Sequence, residues 1–281
     1  MVLVGDFWQL PGVDSTKACD SPAWHRFVRK KELHTMRRCQ CDILKQKLEI
    51  LRTGKPSVAQ LSFIKAGHKA PTARTNYRMK EPTAWDIHQT LVETPDTTFL
   101  TCTKAKAALL NRWAVASLFK DERPLAHLSI EGDMDVKANH GSYEIPKLQR
   151  IYKGMRITLT RNLNKDIGYV NGMGATVIDM CNNGPMVRTD QGRTMLIWQI
   201  TDFDENANIY KTFFPFRLGY ASTLHKVQGA TLKHITLWLD LANMEAAGYV
   251  ALSRVQKDAN WRFLGDPTRH YFTPAKFKKI F

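Results

Sequence analysis

The sequence predicts an α/β fold in which a mostly parallel sheet is flanked by helices and carries a small β-barrel-like insertion. Three observations predict it. Strand-like apolar and β-branched runs alternate with helical stretches at 97–119 and again at 234–264. Residues 162–210 are instead glycine-rich and punctuated by turns, the pattern of short antiparallel strands. Of the 281 residues 43% are hydrophobic, enough to build the core of one large or two ordinary domains.

Taken in order, Val2, Leu3 and Val4 read as a short buried strand ending at Gly5 and Asp6, without the alternation that would precede it in an intact sheet. The chain is therefore expected to begin within a domain, with its first residues prone to fray. A helix is predicted over residues 42–53, because Leu44, Leu48 and Leu51 fall at i, i+4 and i+7 and Gly54 and Pro56 follow. Ser57 with Gln60 makes a capping box that starts another. Residues 97–103 are β-branched and aromatic, hence a strand, and 104–119 read as a helix. Residues 121–149 are polar, hold Gly132 and Gly141, and lack periodicity, so they read as a long surface excursion. Strands are expected at 155–160, 175–178, 213–221, 234–240 and 261–264, with a helix at 244–255. No internal repeat or low-complexity tract is present.

Lysine and arginine number 41 against 26 acidic residues, a net charge of +15 that attracts polyanions and makes nucleic acid the favoured partner class. No apolar run approaches the roughly 20 residues that cross a bilayer, so no membrane association is expected. The N-terminus lacks the cationic start and cleavage site of a secretory signal. Five scattered cysteines, Cys19, Cys39, Cys41, Cys102 and Cys181, form no C-x-x-C pair and suit a reducing, intracellular compartment. Cys39 and Cys41 near His34 have poor zinc spacing and read as free thiols, so no metal site is expected.

Three segments carry chemistry. The first, 5–11 (Gly-Asp-Phe-Trp-Gln-Leu-Pro), is a strand end and turn tipped by Gln9, whose neutral amide can report on a terminal phosphate without competing for its charge. The second, 220–231, places Thr223, His225, Lys226 and Gln228 within six residues and follows them with Gly229, whose backbone a ligand can approach closely. Such a set suits a sugar-phosphate backbone. The third, 249–255, puts Ala247, Val250, Ala251 and Arg254 on one helical stripe ending in a cation. An arginine so placed either pairs at the surface or, aimed into a cleft, stabilises phosphoryl transfer.

Together these segments resemble motifs III, V and VI, in order, of the Pif-type, RecD-related superfamily 1 DNA helicases. Arg161, Asn162, Leu163 and Asn164, with Val170, Asn171, Gly172 and Gly174, are similar to a further element of that family, and 38–54 resembles its motif IV. The resemblance runs from residue 1 to about residue 265. It implies a RecA-like parallel-sheet lobe with a small SH3-like β insertion, preceded by a remnant of a first RecA-like lobe. The implied divisions are 1–35 for that remnant, 36–161 and 211–281 for the second lobe, and 162–210 for the insertion. It further implies that Gln9, Arg38, Gly229 and Arg254 line an ATP cleft, with Gln9, Arg38 and Arg254 catalytic. Thr223, His225, Lys226 and Gln228 would hold single-stranded DNA or DNA junctions. Such helicases move 5′ to 3′ using ATP and Mg²⁺, and the implied roles are DNA repair, recombination or genome maintenance, in a eukaryotic nucleus or mitochondrion or a bacterial cytoplasm.

Departures from the family pattern are local. Gly12 stands where a second proline is usual, and Val227 where a small polar residue is common. Cys39 replaces a typical glutamine and the acidic residue comes one place late at Asp42, which leaves Arg37 and Arg38 both open as the motif IV arginine. The chain contains no G-x-x-x-x-G-K-[ST] sequence and no apolar strand ending in Asp-Glu. It is therefore expected to be the C-terminal part of such a helicase, unable by itself to hydrolyse ATP or to bind it tightly. A non-catalytic single-strand-binding module and a decayed mobile-element helicase are the alternative readings.

Overall fold

The computed structural model describes residues 6, 9–10, 21–29, 31, 36–72, 81–132, 135–138, 141–144, 147–204, 208–241 and 244–274. The strand expected at residues 2–4, and its fraying, lie outside them. In chain order the elements begin with α1 (Pro22–Phe27), α2 (Asp42–Thr53), α3 (Val58–Lys65), α4 (Ala84–Glu93), β1 (Thr97–Thr101) and α5 (Lys104–Leu118). Four strands follow, β2 (Ala126–Ile130), β3 (Asp135–Ala138), β4 (Gly141–Glu144) and β5 (Lys147–Ile151). The next group is β6 (Arg156–Leu159), β7 (Gly174–Cys181), β8 (Gly184–Thr189), β9 (Thr194–Leu196), β10 (Ile200–Asp204), β11 (Ile209–Phe213) and β12 (Phe216–Leu218). The chain continues through β13 (Ala221–Thr223), β14 (His234–Trp238), α6 (Ala247–Leu252), a 3-10 turn at Asp258–Asn260 and β15 (Trp261–Phe263) to a further 3-10 turn at Arg269–Phe272.

The parallel sheet has the order β13-β1-β14-β15. Every residue of β1 is buried, as expected of a strand covered on both faces. Phe99 turns to the layer that contains Ile87, Leu91, Leu110 and Ala114, whereas its neighbour Leu100 turns to the layer of Leu44, Leu48, Leu51 and Val250. Helices therefore sandwich the sheet, α4 and α5 on one side, α2 and α6 on the other. Buried hydroxyls are paired within it, Thr97 with Thr236 at 2.9 Å. Asn111 of α5 accepts the Tyr220 and Ala221 N–H groups and donates to Ala221 O, which fixes the start of β13. The predicted α2 is observed, and Ser57 and Gln60 form the reciprocal capping box of α3.

Four expectations are corrected. Residues 121–149, read as a surface excursion, hold paired strands: β2 pairs antiparallel with β5, and β3 with β4, in two separate two-stranded sheets. Residues 155–160 form β6, which joins the antiparallel sheet β12-β6-β7-β8-β9 rather than the parallel one. That sheet thus draws strands from both sides of residues 162–210. Residues 213–221 are split among three sheets, because Pro215 has no N–H for a ladder and its carbonyl instead accepts Thr160 N–H at 3.0 Å. The helix expected at 244–255 is reduced to α6, since Ala246 takes a left-handed conformation (φ +60°) and helical bonding ends at Leu252. No helix among the described residues is long and apolar enough to cross a membrane.

Candidate functional site

The site forms where three stretches distant in sequence meet on the α2–α6 side of the parallel sheet. Residues 38–40 run beside 253–256, joined by Gln40 N–H to Gln256 O at 2.8 Å. From there Arg38 spans two loops: Nη1 donates to Ser253 O and Nη2 to Gly229 O, both at 2.9 Å. Arg37 is exposed, so of the two candidates Arg38 is the one brought into the site.

After β13 the chain turns through 224–229. Gly229 has φ +84°, a conformation that L side chains rarely adopt, and a Cβ there would meet nothing within 4 Å. The glycine is needed for backbone shape, and its flank is open. Arg254 lies just beyond α6 and is 1% exposed. It is therefore not the last member of a helical stripe. Its Nε donates to Val250 O at 3.0 Å, Nη2 to Ser253 Oγ at 2.7 Å, and Nη1 reaches Val227 O and Ala230 O only at 3.4 Å. Burial, followed by the nearby Arg38, pushes its pKa down to about 10. It remains a cation at neutral pH, held there at an energetic cost.

Gln9 reaches the same region through Asp6, whose Oδ2 accepts Gln9 Nε2 at 3.3 Å and the Tyr249 hydroxyl at 3.0 Å. Gln228, expected to hold a nucleic-acid strand, donates to Leu10 O at 3.0 Å and so ties the 6–10 segment to the turn before Gly229. Thr223 is buried at the end of β13, His225 is half-buried and Lys226 is exposed on the same turn. Asp6, Tyr249 and Ser253 went unassigned in the sequence reading, although each sits inside a motif already singled out. Their signal was position within the motif.

Among the described residues no carboxylate lies within salt-bridge range of Arg38 or Arg254, although Asp6 is near enough to favour the charged form of Arg254. Two guanidinium groups are gathered with carbonyls, a hydroxyl and an amide, a donor-rich arrangement able to receive an anion. No group of three or more His, Cys, Asp or Glu among the described residues is placed to hold a metal ion. Cys39, Cys41, Cys102 and Cys181 are free thiols.

No family model matches the chain. A stretch of 103 residues, 34% of the chain, is 38% identical to the ATP-dependent DNA helicase Pif1 of Bdellovibrio bacteriovorus and covers 23% of that protein. The fold is similar to a Pif1 helicase structure from Candida albicans (TM-score 0.69, 18% identity, 97% of this chain and 65% of that one). It is also similar to a Bacteroides Pif1 helicase in complex with ADP-AlF3 and single-stranded DNA (TM-score 0.64, 20% identity, 96% of this chain and 63% of that one). The chain matches about a fifth of the length of its curated relatives and spans about three fifths of the solved chains. Over part of its sequence and nearly all of its fold, the chain is thus similar to Pif1 DNA helicases.

Proposed function

We propose that the chain is part of an ATP-dependent 5′–3′ DNA helicase serving repair, recombination or genome maintenance, and that Arg38 and Arg254 receive the terminal phosphate of the nucleotide. One observation carries this reading: two arginines from distant parts of the sequence converge beside Gly229 and Ser253, and among the described residues no carboxylate forms a salt bridge with either. A buried or half-buried cation left without a counter-charge costs stability unless a ligand supplies one. An incoming phosphate would find Arg38 at the edge of the pair and Gly229 open beside it, with the Gln9 amide bonded to Asp6, the carboxylate whose charge Arg254 feels.

In this reading residues 1–35 belong to a first lobe, 36–161 and 211–281 to a second lobe, and 162–210 to the β insertion. Single-stranded DNA follows the exposed side of the turn that holds His225 and Lys226, where an ammonium group can contact a phosphate without disturbing the arginines. The bound nucleotide supplies the energy of movement, and Mg²⁺ accompanies it. Without a phosphate-cradling glycine loop in its sequence, the 281-residue chain alone does not hydrolyse ATP.

Three measurements test this. Titration with pyrophosphate, followed on the arginine Nε–H resonances, should shift Arg38 and Arg254 together, and Arg38→Met should remove the response. Single-stranded DNA binding should weaken with salt, and Lys226→Ala should lower the salt slope by about one. A slope unchanged in that variant would reduce the binding to a nonspecific field. DNA-stimulated ATP turnover by the purified chain would refute the proposed dependence on a missing phosphate loop.

A further inference from the structure

Between the described residues of the segment that carries Gln9, two hydrogen bonds are seen. Gln9 N–H reaches Asp6 O at 3.2 Å and Gln9 Nε2 reaches Asp6 Oδ2 at 3.3 Å, both long for their type. Two contacts from elsewhere in the fold are shorter. The Tyr249 hydroxyl donates to Asp6 Oδ2 at 3.0 Å, and Gln228 Nε2 donates to Leu10 O at 3.0 Å. Tyr249 is buried in the core cluster on the α2–α6 side of the sheet, a cluster that Leu10 of the turn also joins.

We propose that Tyr249 and Gln228 are positioning residues for Gln9, clamping the 6–10 turn so that its amide is held beside the arginine pair. The assignment of Gln9 as a phosphate reporter rests on the function proposed above; the clamp itself rests on geometry.

Each clamp residue is also tied to one of the arginines. Tyr249 belongs to α6, which ends two residues before Arg254, and Arg254 Nε bonds back to Val250 O on the same helix. Gln228 immediately precedes Gly229, whose carbonyl accepts Arg38. The amide and the two guanidinium groups are therefore linked through α6 and the 224–229 turn. The Tyr249 hydroxyl is kept protonated, as donation requires, because burial and then the neighbouring Asp6 raise its pKa.

The test is side-chain amide NMR of Gln9 in the full 281-residue chain, together with hydrogen exchange at the Gln9 backbone N–H. Tyr249→Phe deletes one oxygen and keeps the ring. It should move the Gln9 side-chain amide pair to the position of a solvent-exposed glutamine and speed exchange at its backbone N–H by roughly fivefold, the effect of losing one ordinary hydrogen bond. Gln228→Ala should act in the same direction. Asp6→Asn, which keeps an acceptor oxygen, should retain the native Gln9 signal. Tyr271→Phe deletes another buried tyrosine hydroxyl bond, made to Leu239 O at 2.8 Å, and should leave Gln9 unchanged. An unaltered Gln9 signal in Tyr249→Phe, or an equal response in Tyr271→Phe, would overturn the proposal. Neither readout needs nucleotide or DNA, so failure of the clamp is distinguishable from failure of the helicase reading.

Discussion

The same lobe buries cations at two places and treats them in opposite ways. Lys47, 2% exposed, donates to Asp258 Oδ2 and His68 Nε2, each at 2.8 Å, while His68 Nδ1 bonds Trp261 O and its ring stacks on Trp261 at 3.9 Å. Trp261 O can only accept, so His68 Nδ1 carries the proton and Nε2 offers a lone pair to Lys47. Burial, followed by the Lys47 charge, lowers the His68 pKa and keeps that ring neutral. One ammonium and one carboxylate therefore cancel inside the protein. Arg38 and Arg254 have carbonyls and a hydroxyl, and among the described residues no carboxylate is bonded to either. Balanced charge is what a structural staple needs, and unbalanced charge is what an anion site keeps at the expense of stability.

Four measurements can break or sharpen this contrast. The largest effect is expected at the staple, where Lys47→Met leaves Asp258 without its buried partner and should cost about 3–5 kcal/mol in urea unfolding. In the arginine region backbone packing should matter more than charge. A Cβ on Gly248 would lie 2.3 Å from the Phe272 ring, so Gly248→Ala should cost about 1–3 kcal/mol by overpacking beneath α6. Arg254→Met, which removes a buried charge lacking a carboxylate partner, should change stability by about 1 kcal/mol or less in either direction while abolishing the pyrophosphate response. A loss as large as that of Lys47→Met would make Arg254 a structural residue and end the contrast.

The smallest effect is a pH slope. Because the His68 pKa is depressed on folding, the unfolded chain takes up its proton at a higher pH than the native one. Stability linked to this group is thus complete above the ordinary histidine value of about 6.5 and is lost as pH falls below it. The Asp258 carboxyl, lowered chiefly by its Lys47 hydrogen bond acting against the desolvation that opposes it, adds a loss in the same direction only below about pH 4. Urea midpoints measured across pH 5 to 7 should therefore flatten in His68→Gln and remain parallel to the parent in Arg254→Met.

Local order was readable before any coordinates. The leucine spacing of α2 and the Ser57–Gln60 capping box emerged as expected because both arise from neighbours within one or two helical turns. Where distant groups intervene, local pattern misled. α6 is cut short at its start by left-handed Ala246, whose N–H is held by Thr273 O at 2.7 Å, a contact that helical periodicity does not encode. The β2–β5 pairing escaped notice although Ala126, Leu128 and Ile130 alternate with His127 and Ser129, because β5 shows no matching alternation and lies far along the chain from β2.

The site divides along the same line. The residues proposed to carry its chemistry, Gln9, the 223–229 cluster and Arg254, were written in short motifs, since a motif keeps its members within a few residues of one another. What each one faces came only with folding. Arg38 is distinguished from Arg37 by a carbonyl 191 residues away, Gln228 donates to the Leu10 carbonyl, and among the described residues no carboxylate forms a salt bridge with either arginine. Hydrogen bonds across such separations leave no periodic trace in the chain, because they depend on how whole elements pack and not on the spacing within any one of them.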